Sequence, residues 1–159
     1  MMSGDTAPDF NLPSLSGERQ RLSDLLAEGP VLLAFYKVTC PTCQLTFPFL
    51  QRLQLGKTSG APRIVAISQD DASATSDFNR RFGITFLTLL DPPLDRDSRY
   101  PASNAYGIQY VPALFLVEQD GRIAQSIPAF DKVAIARLAV RFGVEIFKPS
   151  DRVPVLRPG

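Results

Sequence analysis

Cys40 and Cys43 are the only cysteines in 159 residues, and they stand three apart as Cys40-Pro41-Thr42-Cys43. The apolar run Val31-Leu32-Leu33-Ala34-Phe35-Tyr36 precedes them. Behind them Leu45, Phe49 and Leu53 recur at helical spacing. A buried strand therefore runs into the pair and a helix starts at it. Cys40 falls at the first turn, where unpaired N–H groups and the helix dipole favour an anion. A thiolate is such an anion. A free thiol is only about 3% thiolate at pH 7, whereas one lowered to about 6.5 is about 75%. Cys43 lies one helical turn on, deeper but within disulfide reach. The spacing predicts an exposed attacking sulfur at Cys40 and a shielded resolving sulfur at Cys43. Pro41 limits the freedom of the loop. Two cysteines that only pack would also satisfy the spacing.

Other chemistries are excluded by composition. There is no histidine, so no Ser-His or Cys-His pair and no His-based metal site can form. Two cysteines alone do not complete a four-ligand zinc site. Gln44 follows the second cysteine, where covalent haem attachment needs His. No phosphate-binding glycine motif is present, and no cofactor is expected. The formal net charge of +1 provides no basic field for nucleic acid. No apolar run approaches the roughly 20 residues of a membrane span. The opening Met1-Met2-Ser3-Gly4-Asp5 lacks a basic and apolar leader. It reads as cytoplasmic as written, or as periplasmic or secreted if a leader was trimmed.

The positioning elements follow from pattern. Asp9–Leu12 and Arg19–Leu22 read as a short strand pair, and Ser23 as the cap of one helical turn. Ile64–Ile67 is a second core strand. A helix with Ala74, Phe78 and Phe82 on one face ends at Gly83, with Asp70, Asp71 and Asp77 read as capping and solvated face. Phe86–Leu90 is a third strand, Asp91–Pro101 a loop, and a short helix leads to Tyr106-Gly107. Ala113–Val117 and Arg122–Ile127 form a hairpin about Glu118–Gly121. A last helix opened by Asp131 ends at Gly143. This order predicts an α/β domain with a central mixed sheet flanked by helices. It is expected over residues 1–143, with residues 144–159 as an extended tail.

The residues also carry a family resemblance. Cys40-Pro41-Thr42-Cys43 after an apolar strand, Pro48 in the following helix, and Tyr106–Val117 ending in Asp120-Gly121 together resemble the thioredoxin fold. Gly4-Asp5-Thr6-Ala7-Pro8-Asp9-Phe10 is similar to the start of the AhpC/TSA redoxins, which include peroxiredoxins and TlpA-like thioredoxins. The resemblance implies that Val111-Pro112 is the family's cis-proline, facing the cysteines and pairing with substrate backbone. Val111, Pro112, Pro41 and Thr42 are thus the expected substrate-binding residues.

The sequence also departs from these relatives. Aligned on Cys43, the peroxiredoxin P-x-x-x-T-x-x-C has Tyr36 for its proline and Cys40 for its threonine. Thr39 stands where thioredoxins carry Trp, and Ala34 where they bury Asp. Lys37 reads as a solubilising lysine, with thiolate stabilisation as its rival role. Tyr36, Tyr106 and Tyr110 are candidates for the groove, with core or rim positions as the default.

The expected function is thiol–disulfide exchange with protein thiols or disulfides and a dithiol reductant or oxidant. The rivals are a peroxiredoxin-like peroxidase taking peroxide at Cys43, and a non-enzymatic redoxin-fold binding module.

Overall fold

The computed structural model describes residues 1–92 and 99–159. The centre of the loop expected over Asp91–Pro101 lies outside them. A five-stranded sheet carries the fold. Its strands are β3 (Val31–Tyr36), β4 (Arg63–Ser68), β5 (Leu87–Leu90), β6 (Ala113–Val117) and β7 (Ile123–Ile127), ordered β5-β4-β3-β6-β7. A two-stranded extension, β1 (Asn11–Pro13) and β2 (Arg19–Arg21), precedes it. The helices are α1 (Leu22–Ala27), α2 (Pro41–Gly56), α3 (Ala72–Arg81), α4 (Pro101–Ala105) and α5 (Lys132–Val140). The sheet is mixed: β3 pairs parallel with β4 and antiparallel with β6.

All six residues of β3 are buried, which is why its sequence is apolar without alternation. The pleat sends them to two cores. Leu32, Ala34 and Tyr36 join Phe47, Leu50 and Leu53 of α2 and Ile135 and Leu138 of α5. Val31, Leu33 and Phe35 join Leu22, Leu25 and Leu26 of α1, with Ala102 of α4 and Tyr106. Tyr36 and Tyr106 are therefore core residues and do not line the cleft beside the cysteines. Tyr36 satisfies its hydroxyl by donating to Asn79 Oδ1 at 2.8 Å.

Local details decide where elements begin. Arg21, not Ser23, occupies the cap position of α1 and makes no side-chain cap bond. The Ser23 N–H instead donates to Asp9 Oδ1 at 3.0 Å, so a carboxylate fourteen residues back does the capping. Asp71 and Asp131 do cap α3 and α5, accepting from Ala74 and Ala134 N–H. Pro41 takes the first position of α2, where its missing N–H costs nothing.

The chain after Gly143 crosses the outside of this core. Ile146 is buried with α2 and α5, and the Phe147 ring packs tilted against that of Phe49, centroids 4.9 Å apart. Asp151 then meets Arg52 of α2 through two hydrogen bonds, 2.7 and 3.0 Å. Finally β9 (Leu156–Arg157) pairs antiparallel with β8 (Phe130–Asp131).

Two outcomes follow from this packing. Phe47 is fully buried against Tyr36, Phe78 and Phe86, so Phe47→Ala should lose about 3–5 kcal/mol in denaturant titration. A loss below about 1 kcal/mol would contradict this core. The Arg52 guanidinium and the Lys148 N–H hold the Asp151 carboxyl down at about 2. With its folded value below its unfolded one, Asp151 stabilises fully above about pH 4 and ceases to as pH falls through about 2. The stability gap between the wild type and Asp151→Asn should therefore close on acidification, and a gap independent of pH would refute the pairing.

Candidate active site

Cys40 is the N-cap of α2, in extended backbone (φ −79°, ψ 114°). That geometry turns its side chain back over the helix start. Its sulfur accepts the Cys43 N–H at 3.1 Å, so one otherwise orphaned helix donor is aimed at this sulfur. On the other side, the Cys40 thiol donates to the Val111 carbonyl at 3.3 Å. The Val111–Pro112 peptide bond is cis. Both cysteines are reduced; Cys40 is partly exposed and Cys43 is buried.

This contact across 71 residues of sequence has a simple cause. In the antiparallel β3–β6 register Phe35 lies opposite Ala113. The chain leaving β3 towards Cys40 therefore runs beside the chain entering β6 from Val111. The loop between β3 and α2 is also pinned. Asp70 accepts the Val38 N–H at 2.8 Å, and the Gln44 amide donates to the Val38 carbonyl at 3.0 Å. Sequence reasoning assigned Asp70 to capping and surface. Nothing local marked its role, which arises because β4 ends beside β3 in the parallel register.

The two sulfurs meet different electrostatics. Burial, foremost, pushes the Cys43 thiol up. Its hydrogen bond with the Cys40 side chain and the nearby charge of Asp70 act in the same direction. Cys43 therefore stays a thiol while Cys40 faces the cleft.

That cleft, about 280 Å³, is lined by Lys37, Cys40, Pro41, Gln69, residues Ile108–Val111 and Gly159. Lys37, read as a solubilising lysine, is thus at its wall, its ammonium 5.7 Å from the Tyr100 ring centre. Of the three tyrosines considered, Tyr110 alone borders the cleft and is exposed. Thr42 is buried beneath the chain terminus, donating its hydroxyl to the Pro158 carbonyl at 2.7 Å. No sequence pattern foretold that contact. A larger cavity, about 780 Å³ between α5 and residues 143–147, contains neither cysteine.

The difference in access has a direct check. Limited alkylation of the reduced, folded protein should label Cys40 alone, with Cys43 reacting only after denaturation. Equal labelling of both in the native state would contradict the burial of Cys43.

Comparison with known proteins agrees with this geometry. Thiol-disulfide oxidoreductase ResA of Geobacillus kaustophilus is 32% identical over 125 residues, covering 78% of this chain and 68% of that protein. The thioredoxin domain of a thiol-disulfide oxidoreductase from Bacteroides vulgatus superposes with a TM-score of 0.69 at 23% identity, covering 79% of this chain and 88% of that one. The peroxidoxin BcpB of Mycobacterium tuberculosis reaches 0.74 at 22% identity, covering 90% and 97%. At these identities the two structures speak for the fold. A family model described as Redoxin matches residues 2–138; this chain belongs to the redoxin family.

Proposed function

We propose that this chain is a thiol–disulfide oxidoreductase that exchanges its Cys40–Cys43 dithiol for a disulfide in a partner protein. The observation that carries the reading is the unequal pair at the start of α2. One sulfur is on the cleft with an N–H aimed at it, and the other is buried one turn behind. Oxidoreductase relatives at about 30% identity support it.

In the reducing direction, the Cys40 thiolate attacks one sulfur of the partner disulfide. That S–S bond breaks, a mixed disulfide forms, and the departing partner thiolate takes up a proton. Cys43 then attacks the Cys40 sulfur, its proton passing to solvent. The mixed disulfide breaks, and the second partner thiolate leaves and is protonated. Two electrons move to the partner, and the protein retains a Cys40–Cys43 disulfide. The raised Cys43 thiol remains protonated until a mixed disulfide brings it an electrophile. Val111 and Pro112 are the backbone wall against which the partner segment lies, and Pro41 and Thr42 form its floor. We read residues 1–143 as the domain that performs this and 144–159 as a segment laid over it.

Full burial of Cys43 argues against the peroxidase reading, which needs that sulfur open to peroxide. The protein disulfides this exchange requires persist in oxidising compartments. That favours a site of action outside the cytoplasm. Among the described residues, no helix is long and apolar enough to cross a membrane.

Trapping tests the roles. Cys43→Ser should accumulate mixed disulfides through Cys40, separable on non-reducing gels and lost with reductant, while Cys40→Ser should accumulate none. The reverse pattern would exchange the two roles, and trapping by neither variant would defeat the reading.

A further inference from the structure

Residues 155–159 run along β8 and the start of α2 to the wall of the Cys40 cleft. The β9 strand adds to β8, and the Lys132 N–H donates to the Val155 carbonyl at 2.9 Å. The chain then passes over the start of α2, where the Pro158 carbonyl takes the Thr42 hydroxyl. It ends on Val111. Gly159 packs so closely there that a Cβ would overlap the Val111 carbonyl oxygen. That same oxygen accepts the Cys40 thiol, and Gly159 forms part of the Cys40 cleft wall. The occupant is therefore an extended main chain lying against the residue before the cis-proline.

The hold of this segment is light. Val155 and Leu156 are 67% and 63% exposed, so little apolar area is lost when they leave. Upstream, Arg52 and Asp151 tether the chain at the edge of α2. The segment can thus lift while its root stays in place.

We infer that residues 155–159 are an intramolecular occupant of the partner groove. The partner taken in exchange is an extended peptide segment that replaces β9 on the edge of β8 and runs over Thr42 to Val111. This is strand addition, in which main-chain pairing supplies affinity and close approach selects a small residue. The inference rests on the exchange reading for its consequence, though not for its geometry. A groove open about a tenth of the time slows partner entry about tenfold.

Two variants test it: removal of residues 155–159, and Gly159→Val, which keeps the segment but denies it its seat. Both should leave the melting temperature near that of wild type, since the affected residues are exposed. Both should raise the rate at which a polyethylene-glycol maleimide labels Cys40 by about tenfold. The synthetic peptide Val-Pro-Val-Leu-Arg-Pro-Gly should slow labelling of the shortened chain again, and the same peptide ending in Val should not. Equal labelling rates in all three proteins would overturn the inference. Reduction of insulin by dithiothreitol, with each protein as catalyst, separates the two readings. Faster labelling with no form accelerating insulin reduction beyond dithiothreitol alone keeps the groove occupant and sinks the exchange function. Equal labelling with equal insulin reduction does the opposite.

Discussion

The structure depends on one strand being buried on both faces and paired on both edges. Val31–Tyr36 has no exposed residue and bonds to a parallel neighbour on one side and an antiparallel one on the other. With no freedom to shift register, its end is a fixed point. The parallel neighbour ends there and presents Asp70 to Val38. The antiparallel neighbour begins there and presents the Val111 carbonyl to Cys40. Helix α2 starts at the same point, so the Cys43 N–H meets the same sulfur.

From that convergence the chemical asymmetry follows. Two cysteines three residues apart are alike in sequence. Once α2 packs on the sheet through Phe47, Leu50 and Leu53, the inner cysteine is sealed in the core and the outer one remains at its rim. Desolvation penalises charge on the inner sulfur. The outer one keeps an N–H donor and an opening to solvent. An accessible thiol and a sealed one thereby arise from identical side chains.

The terminal segment adds a second use of the same construction. Outside the five-stranded sheet, β8 offers an edge at Phe130–Asp131 and α2 a floor at Thr42. The chain's own β9 pairs with that edge, and Pro158 just beyond it accepts the Thr42 hydroxyl. An exposed strand edge is a template for any extended chain, and here β9 covers the edge of β8.

Much of this was legible before any coordinates. The apolar run before Cys40, the period change after it and the hairpin at Glu118–Gly121 are local patterns. Each reflects burial or backbone chemistry written in adjacent residues. They determined the α/β order and the place of the cysteine pair at a strand–helix junction, while the cis-proline at Val111-Pro112 was implied by the family resemblance. Other features were not legible because they join residues far apart in sequence. Asp9 rather than Ser23 serves the start of α1. Tyr36 and Tyr106 turn into the cores while Tyr110 stays at the cleft. Asp70 holds the loop before Cys40, and Gly159 comes to rest on Val111. By itself the sequence determined the elements and the chemistry, since periodicity and residue type act over a few positions. Tertiary structure alone decided what each sulfur touches, because strand register and layer packing set distances that no local pattern encodes.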